Sequence, residues 1–152
     1  MDQRVQSGSE PGDQPLRLYL VEDSPRIIEH LIAMFDSIDG VLTVGCARTA
    51  DDAVRGIRSA HPQVVVLDIQ LARGSGFAVL RSIQEIAPEA EVFVLSNFAA
   101  EPYRRLAARL GARGFFDKST EFEDMRRLIT ARASARANHA ATQHPNSSSP
   151  GN

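Results

Sequence analysis

Between residues 16 and 137, short apolar runs alternate with longer stretches in which apolar side chains recur every three or four positions. The short runs, 16–21, 41–46, 64–67, 91–95 and 114–116, predict five strands. The third reads Val-Val-Val-Leu without alternation, which is the pattern of a central parallel strand covered on both faces. The longer stretches predict five helices. Ser24 followed by Pro25 supplies an N-cap and a first helical residue, after which Ile27, Ile28, Leu31, Ile32 and Phe35 form one apolar stripe. Thr49 with Asp52 opens the second helix, 76–86 holds the third and 102–110 the fourth. Thr120 with Glu123 predicts a capping box on the fifth, whose buried side is Met125, Leu128 and Ile129. Strands alternating with helices imply right-handed crossovers and a parallel sheet with helices on both faces. In such a doubly wound α/β domain, ligands bind beyond the carboxyl ends of the strands.

Outside this unit the pattern stops. Residues 1–15 and 138–152 are polar and rich in Gly, Pro and Ser, so both are predicted to be disordered tails flanking one domain at 16–137. With 152 residues, 43% of them hydrophobic, the chain has the apolar content for one core. A formal net charge of -2 argues against nucleic acid as a direct partner. Arg104, Arg105, Arg109, Arg113, Arg126, Arg127, Arg132 and Arg136 are interleaved with acids and read as a solvated helix face. Cys46, the sole cysteine, falls in an apolar strand, where a buried thiol is the expectation. Residues 1–15 hold no apolar core of the length a secretory leader needs, and no apolar run approaches the ~20 residues of a membrane span, so the expected location is the cytoplasm.

The strand ends carry the chemistry. The first strand leads into Glu22 and Asp23, the third into Asp68, the fourth into Ser96, and the fifth is followed by Lys118, the only lysine beside sixteen arginines. Three carboxylates at one sheet edge repel one another and call for a cation. Hard oxygen donors without Cys or His point to Mg²⁺ rather than Zn²⁺. A metal, the Lys118 ammonium and the Ser96 hydroxyl together form a receptacle for the oxygens of a transferring phosphoryl group, with a carboxylate as nucleophile.

These residues in this order resemble the response-regulator receiver domain of two-component signalling, and the likeness covers about 16–135. It implies a flavodoxin-like (βα)5 fold with strand order 2-1-3-4-5. It also implies that Asp68 is the phosphoacceptor, that Lys118 and Ser96 assist it, and that Ser96 and Phe115 are the switch pair. Mg²⁺ would be bound by Asp23, Asp68 and the backbone carbonyl of Gln70, with Glu22 acting through water. The phosphoryl donor would be a histidine kinase or histidine phosphotransfer protein. With no room for an output domain in the tails, the expectation is a stand-alone regulator, not an enzyme acting on other substrates. It would signal to an unknown output protein, or by homodimerisation, through the face of helix four, strand five and helix five. Two positions depart from the family's pattern: Ser119 follows the lysine where proline is common, and Ala72 stands four residues after Asp68, another frequent proline.

Competing readings have specific requirements. A haloacid-dehalogenase-type phosphatase needs a second Asp two residues after the nucleophile, and that position is Gln70. A flavin site needs a hydroxyl-rich loop after the first strand, and Val-Glu-Asp-Ser-Pro is acidic. A degenerate receiver acting as a phosphate-independent binding module would fail to bind Mg²⁺. His30, His61, His139 and His144 show no ligand spacing.

Overall fold

The continuous apolar run of the third strand has the environment that its lack of alternation predicts: every residue of Val64–Leu67 is buried. In a computed structural model, which describes residues 14–143, this strand (β3) lies in the centre of a five-stranded parallel sheet ordered β2-β1-β3-β4-β5. The other strands are β1 (Leu16–Val21), β2 (Val41–Ala47), β4 (Glu91–Ser96) and β5 (Gly114–Asp117). The helices are α1 (Pro25–Asp36), α2 (Ala50–Ala60), α3 (Gly76–Ile86), α4 (Glu101–Arg109) and α5 (Phe122–Gln143). The order is the one the family resemblance implies.

Two apolar layers enclose the sheet. Leu18, Leu20, Val64, Val66, Phe93 and Leu95 face α1 and α5, where Leu31, Phe35, Met125 and Ile129 meet them. Tyr19, Val21, Val65, Leu67, Val92 and Val94 face the opposite way, towards Ala53, Ile57, Val79, Leu80, Ile83 and Ala107 of α2, α3 and α4. The period-two alternation of β1 and β4 thus distributes each strand between both layers.

Helix starts follow local chemistry. Ser24 Oγ accepts from Ile27 N–H, Thr49 Oγ1 from Asp52 N–H and Ser75 Oγ from Phe77 N–H, each satisfying an amide that the first helical turn leaves without a partner. The fifth helix differs from its prediction. It begins at Phe122, with Met125 N–H bonded to Glu121 O, so Thr120 and Glu123 do not form the predicted box; Thr120 lies in a turn whose amide reaches Asp117 O. The same helix continues to Gln143, past the boundary at 137. The predicted tails 1–15 and 138–152 otherwise lie largely outside the described residues.

Cys46 corrects a second expectation, because its thiol is exposed. β2 pairs only with β1, and Leu42 and Cys46 point from this edge strand into solvent. Among the described residues, no helix is long and apolar enough to cross a membrane.

Candidate functional site

The parallel strands end together, and their ends build one acidic site. Glu22 follows β1 and is held there by its amide, which donates to Ala47 O at 3.0 Å, while Asp68 follows β3 with its amide on Val21 O at 3.0 Å. Ser96 closes β4 opposite Asp117 of β5, and Lys118 N–H bonds to Ser96 O at 3.0 Å. Glu22, Asp68 and Ser96 are all buried, at 1%, 6% and 0% exposure, and for the two carboxylates such burial is unusual without a partner.

Lys118 is that partner. Its Nζ donates to Glu22 Oε1 at 2.8 Å and to Asp68 Oδ2 at 3.0 Å. The other Asp68 oxygen, Oδ1, accepts from Gln70 N–H at 3.0 Å. Burial pushes the Glu22 carboxyl up, and the adjacent ammonium only partly offsets this. For Lys118 the balance is reversed: burial alone would lower its pKa, but the bonds to Glu22 and the charge of Asp68 raise it above the ordinary lysine value. Lys118 therefore stays an ammonium at neutral pH.

Asp23 completes the cluster from the half-exposed side. One carboxylate oxygen from each of Glu22, Asp23 and Asp68 lies within 4.8 Å of the other two, so three acids converge against one ammonium. The donor set suits a small hard divalent cation, whose charge would balance the surplus carboxylates. The backbone carrying Asp23 is fixed by Arg48, whose Nε donates to Asp23 O at 2.9 Å.

The end of the loop after Asp68 leaves no room for a side chain at Gly76. A Cβ on Gly76 would lie 2.3 Å from Asp68 O and 2.4 Å from Ile69 Cα, so α3 starts directly against the backbone just after β3 and only glycine allows the approach. Gly76 N–H bonds to Ile69 O and Ala50 N–H to Arg73 O, holding the loop from both sides despite Ala72.

Of the sequence-predicted residues, Glu22, Asp23, Asp68, Gln70 and Lys118 are gathered here. Ser96 stands at the same edge with its Oγ accepting from Phe98 N–H at 3.0 Å. Phe115 is half-buried on β5, packed against the α2/α3 layer, with the Arg104 guanidinium 5.0 Å from its ring centroid. Ser119, in the place of the common proline, forms a turn of its own. Its N–H and Oγ–H both donate to Asp117 Oδ1, at 2.9 and 2.7 Å, and the Lys118–Ser119 bond is trans. These bonds pull the Asp117 carboxyl below its usual range. The spacing Asp-Lys-Ser signals this turn in the sequence.

The predicted solvated arginine face is partly structural. Arg132 forms a two-pronged pair with Glu91 at 2.8 and 3.0 Å, and Arg104 bonds three segments at once. Nothing in the sequence marks Arg104, because its partners lie up to seventeen residues away.

Comparison with known proteins identifies the family of the chain. Residues 18–130 match the response regulator receiver domain family. The chain belongs to that family. The receiver is 26% identical over 110 residues to the transcriptional regulatory protein YvfU of Bacillus subtilis, an overlap of 72% of this chain and 55% of YvfU. It is 30% identical over 106 residues to protein-glutamate methylesterase/protein-glutamine glutaminase 3 of Geobacter sulfurreducens, covering 70% of this chain and 28% of that protein. The receiver thus spans little more than half of one relative and less than a third of the other. Its fold matches the CheX-CheY-BeF3-Mg complex from Borrelia burgdorferi with a TM-score of 0.71 and 22% identity, over 82% of this chain and 98% of that one. These relatives are bacterial, and the receiver places the chain in two-component signalling.

Proposed function

We propose that this receiver accepts a phosphoryl group on Asp68 from a phosphohistidine of a sensor kinase or histidine phosphotransfer protein. The observation that carries the proposal is the position of Asp68: a buried carboxylate at the centre of the sheet edge, bonded to Lys118, with an oxygen within 4.8 Å of an oxygen of each of two further acids. In the transfer, an Asp68 oxygen attacks phosphorus, the phosphorus–nitrogen bond of the donor breaks, and the departing imidazole keeps the electron pair. Asp23 and Asp68, with the Gln70 carbonyl and Glu22 through water, would hold Mg²⁺, which supplies charge neutralisation for the phosphoryl oxygens. Lys118 supplies a fixed positive charge 3.0 Å from Asp68 Oδ2.

Phosphorylation would then add about -1.5 to -2 charge at one buried point. Lys118 and Ser96 carry the donors that answer it: Nζ, already 3.0 Å from Asp68 Oδ2, and the Ser96 hydroxyl once it leaves Phe98 N–H. Phe115 follows Ser96, and the output runs through the α4–β5–α5 face, as changed binding of an output protein or of a second copy. The deciding experiment is labelling by a radioactive phosphodonor with Mg²⁺ present. Asp68→Asn is expected to take up no acid-stable, base-labile label; undiminished labelling of that variant refutes the assignment.

A further inference from the structure

Of the residues of α4, Ala107 alone is buried, and its N-cap, Ala100, offers no side-chain oxygen to the helix start. Apolar packing therefore holds this helix weakly, and its polar attachments matter more. Arg104 provides them in three directions. Its Nε donates to Ala99 O at 2.8 Å, Nη1 to Phe115 O at 3.1 Å and Nη2 to Glu121 Oε1 at 2.9 Å, while the guanidinium lies over the Phe115 ring. Glu121 Oε1 also accepts from Asp117 N–H at 2.8 Å. One side chain thus ties the loop that follows Ser96, the strand that carries Phe115 and the loop that follows Lys118.

Those three segments are the ones a phosphoryl group must displace. Ser96 Oγ is engaged by Phe98 N–H, so turning it towards an oxyanion rearranges residues 97–100, and Arg104 grips Ala99 in that stretch. Moving the Phe115 ring breaks the cation–π contact and disturbs the bond to its carbonyl. We propose that Arg104 is a latch, a positioning residue whose contacts hold the loop after Ser96, β5 and the loop after Lys118 against the rearrangement that aspartyl phosphate drives. The proposal rests on the phosphoryl-acceptor reading given above. Its thermodynamic content is a difference in contacts between two arrangements: a residue that bonds only one of them lowers the apparent affinity for any ligand that selects the other.

The test uses the full chain, its Arg104→Gln and Arg104→Lys variants, and beryllofluoride with Mg²⁺ as the phosphoryl mimic. Without ligand, amide hydrogen exchange in residues 97–100 and 115–121 should accelerate in both variants, since a lysine ammonium cannot span three acceptors. With the mimic, both should bind more tightly than the wild type, by roughly tenfold, or about 1.4 kcal/mol. A merely structural loss would weaken binding. Unchanged exchange, or a mimic affinity equal to or below that of the wild type, overturns the latch alone. A wild-type chain that takes up no mimic overturns the phosphoryl-acceptor reading and the latch with it. If Arg104→Gln does not fold, Glu121→Gln releases one arm and should shift both readouts in the same direction.

Discussion

Lys118 Nζ reaches two buried carboxylates at once, and this double engagement sets what each substitution costs. Removing the ammonium in Lys118→Met strands Glu22 and Asp68 without their counter-charge. Breaking one side of a buried ion pair costs about 3–5 kcal/mol. The site is not fully dry, since the lysine side chain is 12% exposed, so the expected loss is near the lower end, read as a shift in the urea midpoint at pH 7. Lys118→Arg keeps the charge but replaces a compact ammonium with a planar fork. That variant should still be labelled on Asp68 while failing to transmit the change to β5, checked by comparing amide chemical shifts of Phe115 with and without beryllofluoride. Labelling lost together with the shift would show that Lys118 is needed for transfer itself.

At the scale of elements, close approach and local bonding decide what can change. A side chain on Gly76 must push α3 off Asp68 O or shift the loop, and overpacking of this kind costs typically about 1–3 kcal/mol. Gly76→Ala should lower thermal stability by that amount and slow Asp68 labelling as well, because the backbone it displaces carries the acceptor. The turn before α5 gives a pH dependence. Asp117 is held low first by the Ser119 hydroxyl, and Glu121 first by the Asp117 amide and then by Arg104. Groups with depressed folded pKa values contribute stability that is present above the ordinary carboxylate range, about 3.9–4.3, and lost as pH falls through the folded values. Glu121→Gln should therefore flatten the fall of the urea midpoint below about pH 4.

The same elements show what the sequence disclosed. The strands and the first three helices were legible because burial imposes periods of two and 3.6 on their residues, and Ser24 and Thr49 cap by purely local bonds. The site acids and Lys118 were legible because parallel topology brings strand ends together wherever they fall in the chain. The start of α5 was misread because Thr120 and Glu123 have the right spacing, yet Thr120 N–H donates to Asp117 O and the Glu121 side chain accepts from Asp117 N–H instead. Cys46 was misread because strand propensity does not say whether a strand lies at the edge. Arg104 was invisible for the opposite reason: all its meaning is long-range.

Across the whole molecule, the acidic edge sets function against stability. Three converging carboxylates repel one another in the absence of a cation, so Asp23→Asn should raise the melting temperature in chelator. A ligand that binds only the folded state adds stability that grows with its concentration, about 2.7 kcal/mol at one hundred times its Kd. Mg²⁺ should accordingly raise the melting temperature of the wild type and leave Asp23→Asn nearly unmoved, so that the order of the two proteins narrows or reverses as Mg²⁺ is added. Scanning calorimetry across a Mg²⁺ series reads this directly, and a response retained in full by Asp23→Asn would exclude that residue from the metal site.

The edge position of Cys46 also has a practical side. As the single thiol among 152 residues, and one open to solvent, it offers a site for one fluorophore or spin label on the native chain without engineering. The same thiol can form a disulfide only with a second molecule, and pairing of two copies gives a covalent dimer that would mimic a phosphorylation-dependent one. Measurements of self-association therefore need a reductant, or Cys46→Ser as the reference protein.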